Sequence, residues 1–349
     1  MVKVSILFYV YNVENFLKDS LNSLLNQSFN DFEVICIDDG STDNSLSILK
    51  RYSNKDNRIK FISINHSGFS KAMNKVLGLT GGKYIYFMNP DGILKFYALG
   101  LMYETAEDKN TDIILSNINY EYDNIFINKT TLMNNAIKKF DTVFNYKNLQ
   151  NQIFDLDVSL ENKFFSANLI KDNNLMFNEN LDFPEYLFFY NSLLIAKNIF
   201  ILNDFLFENR KPFELFTVCQ SQDVSEEYKL IQKSFRDKEE YENYKDYFLI
   251  CKLNIFMSTY SKLQEGYKEK YFSNIRKDLI NDFSKNKINE ESIINLSDFD
   301  RKIFEQILIS ESSYEFDLLR KNYFKSMEYN KVLDRFAFLK LVNLKSQTE

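Results

Sequence analysis

The chain predicts an α/β fold: a mostly parallel, mixed sheet flanked by helices, followed by an α-helical carboxy-terminal region. Three observations predict it. Over residues 2–95, β-branched and aromatic runs of strand length alternate with segments of helical periodicity, joined by short connections. Several of these runs stop in turns built from Asp, Asn and Gly. From about residue 225, apolar positions at helical spacing recur in a highly charged background.

Residues 2–10 (VKVSILFYV) are apolar enough for a strand buried on both faces. Asn12 is then expected to cap a helix to about residue 27, with Phe16, Leu17, Leu21, Leu24 and Leu25 on one face. Residues 32–37 form the second strand and residues 38–43 its terminal turn. A helix over 45–52, a strand over 59–64 and a helix over 69–79 follow. The fourth strand, 84–88, ends in Asn89-Pro90-Asp91-Gly92. Beyond Ala98 the order is mixed: a helix to about 107, a strand over 112–118 and an irregular aromatic-rich stretch to 146. Residues 164–189 read as helices broken around Asn173-Asn174, and 199–207 as a late strand. Helical pattern then runs from 225 to 342. Two domains are expected, 1–220 and 221–349, the first with a nucleotide-binding half to about residue 95 and an acceptor half beyond it.

With 349 residues, 45% hydrophobic and 26% charged, the chain can bury a full core. A net charge of −6 argues against a nucleic-acid partner held by phosphate neutralisation. Cys36, Cys219 and Cys251 have no pairing or metal-type spacing, and Cys36 lies in a strand-like run where a buried, inert thiol is expected. The single histidine, His66, sets aside most histidine-based zinc sites and serine–histidine triads. No leader and no apolar run of about eighteen residues is present, so a cytoplasmic protein is expected, meeting any lipid-linked acceptor at the inner membrane face.

The chemistry concentrates at strand ends, where open α/β sheets bind ligands. Asp38-Asp39-Gly40-Ser41-Thr42-Asp43 places two acids after a buried strand. Acids there suit a donor-rich base edge or sugar, or a metal shared with a phosphate, although Asp and Gly also make plain turns. Tyr11, after the first strand, can stack on a flat base or merely pack over the sheet edge. Asp91 can share Mg2+ or Mn2+ with a diphosphate, and Asn89-Pro90-Asp91-Gly92 can equally be a proline turn. Glu185, in Asp182-Phe183-Pro184-Glu185-Tyr186, is a candidate general base at what also reads as an ordinary helix start. A surface role is the default for His66, with a phosphate contact within reach of its loop. The charged carboxy-terminal helices are solvated faces over apolar stripes, and are candidates for homodimer or peripheral membrane contact.

Taken in order, Ser5-Ile6-Leu7-Phe8-Tyr9-Val10-Tyr11-Asn12, Ser23-Leu24-Leu25-Asn26-Gln27-Ser28 and Asp38-Asp39-Gly40-Ser41-Thr42-Asp43-Asn44-Ser45 resemble family-2 glycosyltransferases of the GT-A (Rossmann-like) fold. Asn65, Gly68, Ser70, Ala72, Asn74 and Gly82-Lys83-Tyr84-Ile85-Tyr86-Phe87 continue the resemblance, dense to about residue 95 and looser to about 215. It implies a nucleotide-sugar donor, with Val10, Tyr11, Glu14 and Asp39 holding a UDP-like base and Asp38 beside them. Asn89 and Pro90 would line the nucleotide, Asp91 would hold Mg2+ or Mn2+, and Glu185, or else another acid, would be the base. The chain departs from the family pattern in three places. Asn89 stands at the first position of the Asp-x-Asp metal motif, Tyr186 at the aspartate of the Glu-Asp pair, and Tyr9 at the usual proline, the last expected to be a packing change.

The function so implied is inverting, metal-assisted transfer of a sugar from a UDP-sugar to a hydroxyl of a cell-surface glycan or lipid-linked precursor. The departures at Asn89 and Tyr186 motivate an alternative, a nucleotide-sugar-binding or scaffolding protein whose catalysis has decayed. A dinucleotide-dependent dehydrogenase fits poorly, because no glycine-rich turn follows the first strand.

Overall fold

The computed structural model describes residues 2–122, 125–129, 142–181, 184–210, 224–285 and 287–327. The chain divides into two compact units, residues 1–213 and 214–349. The expected boundary at 220/221 lies outside the described residues, as do Asp182, Phe183, Cys219 and the helical pattern expected over 328–342.

The first unit opens with β1 (Val4–Val10), α1 (Glu14–Leu25), β2 (Phe32–Asp38), α2 (Ser45–Ser53), β3 (Ile59–Ser63), α3 (Phe69–Leu77) and β4 (Tyr84–Met88). Then come β5 (Gly92–Leu94), α4 (Ala98–Lys109), β6 (Ile113–Tyr122) and β7 (Ile125–Lys129). After α5 (Tyr146–Leu149) and two 3-10 turns, Gln150–Asp155 and Leu160–Asn162, the unit closes with β8 (Lys163–Ser166), α6 (Ala167–Asp172), α7 (Glu185–Ile195) and β9 (Ile199–Asn209).

Nine strands form one sheet in the order β3-β2-β1-β4-β8-β6-β9-β5, with β7 on β6. From β3 to β4 every pairing is parallel; β8 then runs antiparallel to both its neighbours, and β6 pairs β9 in parallel. β1 and β2 are buried on both faces because helices cover both: Val4, Ile6, Phe8, Val34 and Cys36 on one, Leu7, Ile35 and Ile37 on the other. Leu17, Leu21 and Leu24 of α1 join the same core, as their helical spacing requires.

Three departures from expectation bear on the site and its sheet. Asn12 does not cap α1: it adopts φ 51° and turns its carboxamide to Thr42, whose amide donates to it at 2.8 Å. The amides of Val13 and Glu14 are instead met by Ser45 Oγ at 3.0 Å and Asp43 Oδ2 at 3.0 Å, from the start of α2 and the loop before it. The polar string 41–45 therefore caps its neighbour helix from outside, satisfying donors that α1 cannot satisfy itself. Residues 164–166, expected in a helix, fall in β8 instead, where Phe164 and Phe165 pair with β4 and β6. β5, not expected at all, pairs β9.

The second unit carries α8 (Val224–Asp237), α9 (Tyr241–Tyr244), α10 (Phe248–Lys262), α11 (Glu265–Ser284), α12 (Glu290–Ile294), α13 (Asp298–Ile309) and α14 (Ser313–Met327). Its core is aromatic: Phe256 stacks on Tyr271, and Phe272 on Phe316. Lys252, buried within it, is neutralised by Asp278 and by Asp282 at 2.7 Å. No helix among the described residues is long and apolar enough to cross a membrane.

Candidate active site

Strand order gathers the chemistry. β2, β1 and β4 are parallel neighbours with Val10 beside Asp38 and Phe8 beside Met88, so the segments following them open on one sheet edge. Tyr11, Asp39 and Asn89 each follow one of these strands. The ends of β2 and β4 lie two strand spacings apart, roughly 10 Å.

At the β2 end, both acids are buried and bonded. Asp38 accepts from Ser41 N at 3.3 Å and Ser63 Oγ at 2.8 Å, which holds the turn closed. Asp39 is 0% exposed. One of its oxygens accepts from Ser67 N at 2.8 Å and Ser67 Oγ at 3.0 Å. The other accepts from Gly68 N and Tyr9 Oη, both at 2.9 Å, with His66 Nδ1 at 3.0 Å. Burial, then the charge of Asp39, pushes the Tyr9 phenol far above its usual range. Tyr9 is therefore a member of this site and not only a packing change. Gly40 makes the approach possible: it sits at φ 73°, and a Cβ there would stand 2.7 Å from the His66 amide nitrogen.

Above the acids, Tyr11 stacks on His66 with centroids 4.3 Å apart. Both rings are open to solvent on one side, Tyr11 at 37% exposure and the His66 side chain at 55%. Val10 is buried, and its carbonyl accepts from Asp39 N at 2.9 Å. The Glu14 carboxylate accepts from Asn44 N at 2.8 Å, tying α1 to the start of α2.

At the β4 end, Pro90 is buried while Asn89 and Asp91 are half-buried. Gly92 lets β5 lie against β9, since a Cβ there would overlap the ring of Phe207, which is fully buried. Pairing of Gly92 with Asn209 brings Arg210 alongside, and its Nε donates to the Asp91 carbonyl at 3.4 Å.

A carboxylate outside every sequence motif joins this strand end. Glu161 accepts a hydrogen bond from Asn89 Nδ2, and its own carbonyl accepts from Tyr86 Oη at 2.6 Å. Burial raises its pKa from 4.5 to about 7, with the Asp91, Glu185 and Asp157 carboxylates adding to the shift. The loop that carries it is held by Lys163, a fully buried ammonium that donates to the carbonyls of Asp157 and Ser159, both at 2.5 Å, and to Asn162 Oδ1 at 2.7 Å. Glu185 opens α7, and Tyr186 is buried in the core. Leu160-Glu161-Asn162-Lys163 has no motif spacing, and only the antiparallel placement of β8 brings it beside Asn89.

Two acidic strand ends on one edge, with stacking rings over one of them, fit the matched region: the family profile described as glycosyl transferase family 2 aligns with residues 5–164. Residues 5–164 are thus similar to glycosyl transferase family 2.

Similar proteins set this region in context. A poly(ribitol-phosphate) beta-glucosyltransferase of Bacillus spizizenii is 35% identical over 121 residues, 34% of this chain and 19% of that protein. The matched stretches span 16% and 40% of two curated relatives, the glycosyltransferases GlyA and GlyG of Streptococcus pneumoniae. S. aureus TarS 1–349, solved in complex with UDP, superposes with a TM-score of 0.62 at 20% identity over 95% of each chain, a likeness of fold. A mannosyltransferase from Pyrobaculum calidifontis, solved with GDP-Man and Mn2+, gives a TM-score of 0.52 at 10% identity over 92% of this chain and 86% of that one.

Proposed function

We propose that this protein transfers a sugar from a UDP-sugar to a hydroxyl of a cell-surface glycan or its lipid-linked precursor, with inversion and with Mg2+ or Mn2+. One observation supports the reading: the parallel register of β2, β1 and β4 brings Tyr11, Asp38 and Asp39 to the same sheet edge as Asn89 and Asp91. The UDP bound to TarS and the Mn2+ of the Pyrobaculum enzyme support the donor and metal classes, and the Bacillus relative's name supports a cell-surface acceptor.

In this reading Tyr11 stacks on the base, with Val10, Asp39 and Glu14 around it, Asp38 holding the turn, and Asn89 and Pro90 flanking the donor. Asp91 is the protein's metal ligand. Among the described residues no three His, Cys, Asp or Glu side chains are grouped as a metal cage. A hard carboxylate completed by substrate phosphates is the arrangement Mg2+ or Mn2+ accepts. When bound, the metal offsets the charge of the leaving diphosphate. Glu161, held by Asn89, brings to this strand end the carboxyl group that Asn89 lacks. Glu185 takes the proton of the acceptor hydroxyl as its oxygen bonds to the anomeric carbon and the bond to the diphosphate breaks. Residues 1–95 form the donor half, 96–220 the acceptor half, and 221–349 a helical domain that offers homodimer or inner-membrane-face contact.

The test is UDP release from a panel of UDP-sugars with Mn2+ and glycan acceptors. Asp91→Ala should abolish metal-dependent release, and Glu185→Gln should lower kcat by about 10²–10⁴-fold with donor KM little changed. Release by Asp91→Ala at the wild-type rate overturns the metal role. Nucleotide binding without release under any donor identifies a decayed, nucleotide-sugar-binding protein instead.

A further inference from the structure

Building on the metal role proposed for Asp91, we infer that the Glu161 carboxylate is a second protein ligand for the same divalent cation. It supplies, from a loop outside the strand-end turn, the anionic oxygen that Asn89 does not have.

The residue is fixed to β4 and its turn at both its main chain and its side chain. Tyr86 Oη donates to the Glu161 carbonyl at 2.6 Å, and Asn89 Nδ2 donates to Glu161 Oε1. Glu161, Asn89 and Asp91 are alike half-buried, so this strand end is not closed to a ligand. One oxygen of Glu161 is anchored and the other is available. Among the described residues Oε2 has no hydrogen-bond donor, and it is not sealed in the core.

The surrounding charge has one sign. The side chains whose charges act on Glu161 are Asp91, Glu185 and Asp157. The ammonium of its own loop, Lys163, is turned instead to the carbonyls of Asp157 and Ser159 and to Asn162 Oδ1. Arg210 meets Asp91 through the main-chain carbonyl and gives Nη1 to Asp19 Oδ2 at 3.0 Å. Like charges gathered in a partly desolvated place repel more strongly than in water, and a cation joining them removes that repulsion. Two carboxylates, diphosphate oxygens and water make a hard oxygen set of the kind Mg2+ and Mn2+ take.

A purely structural Glu161 would only hold its loop against β4, and the two roles part on charge. Glu161→Gln keeps an oxygen to accept from Asn89 and removes the charge. Asn89→Asp combined with Glu161→Gln exchanges donor and acceptor across the same hydrogen bond and returns one negative charge, now at position 89.

Calorimetric titration of the full chain with UDP, with and without Mn2+, tests this at pH 8, where the Glu161 carboxyl is ionised. Expected is tighter UDP binding with Mn2+ in the wild type. Glu161→Gln should bind UDP without metal at least as tightly as the wild type, while its Mn2+-dependent gain falls about tenfold. The double variant should recover most of that gain. An undiminished gain in Glu161→Gln, an equal loss with and without Mn2+, or no recovery in the double variant overturns the inference and leaves the donor site standing. UDP binding that Mn2+ does not tighten in the wild type overturns the metal role of Asp91 as well, and absence of UDP binding overturns the site itself. If Glu161→Gln does not fold, a crystal structure of the wild type with UDP and Mn2+ decides. A Glu161 oxygen bonded to the ion supports the assignment, and an ion bound without it refutes it.

Discussion

Glu161 shows how far one side chain's chemistry depends on where the fold puts it. Folded, it keeps its proton up to about pH 7; in the unfolded chain it releases it near 4.5. Between those values the native state binds the extra proton, so this group's contribution to stability declines as pH rises from 4.5 through 7 and is level above. Glu161→Gln should remove that slope. Urea unfolding at pH 5 and pH 8 measures it: wild type should lose more stability across the interval than the variant, and parallel losses would contradict the assignment. Glu33, Asp43, Asp56 and Glu107, held below the ordinary carboxylate range, act oppositely, losing stability only as pH falls through their lowered pKa values. The same side chain at an exposed position would have had no such profile.

Elements meet in this domain through a few close approaches. β5 reaches β9 only because Gly92 has no side chain where the buried Phe207 ring lies. Gly92→Ala should cost about 1–3 kcal/mol through overpacking, and should loosen the Asp91–Arg210 contact beside it. Gly78→Ala is the comparison: its Cβ meets open space at a helix end with ordinary φ, so a gain of about 0.4–1 kcal/mol is expected. Denaturant midpoints that move alike in the two variants would contradict this account of β5. The capping of α1 by Ser45 and Asp43 is a second such approach, and it explains polar residues after β2 that the nucleotide site does not need.

For the whole molecule, the proposed donor site predicts ligand-linked stability. A ligand at one hundred times its Kd stabilises by about 2.7 kcal/mol. In a unit of about 200 residues, this corresponds to a rise of roughly 5–10 °C in the unfolding midpoint. Scanning calorimetry with UDP and Mn2+ should show that shift for residues 1–213, and an unmoved transition at saturating nucleotide would remove the basis of the proposal.

Local pattern alone was sufficient for β1, β2, β3 and β4, for α1 to α3, and for the strand-end positions of the acids at 38, 39 and 91, because burial on both faces and turn chemistry leave their mark within a few residues. The family resemblance was legible for the same reason, since its motifs sit at consecutive strand ends. What the sequence could not show was non-local. β8 is four residues long and antiparallel, so it carried no periodicity, yet its direction delivers Glu161 to Asn89. Likewise, Asp38-Asp39 in sequence is two free acids at a strand end. Only tertiary structure shows Asp38 spent on holding its turn and every lone pair of Asp39 already engaged, because the donors that fill them come from β1 and from the loop entering α3.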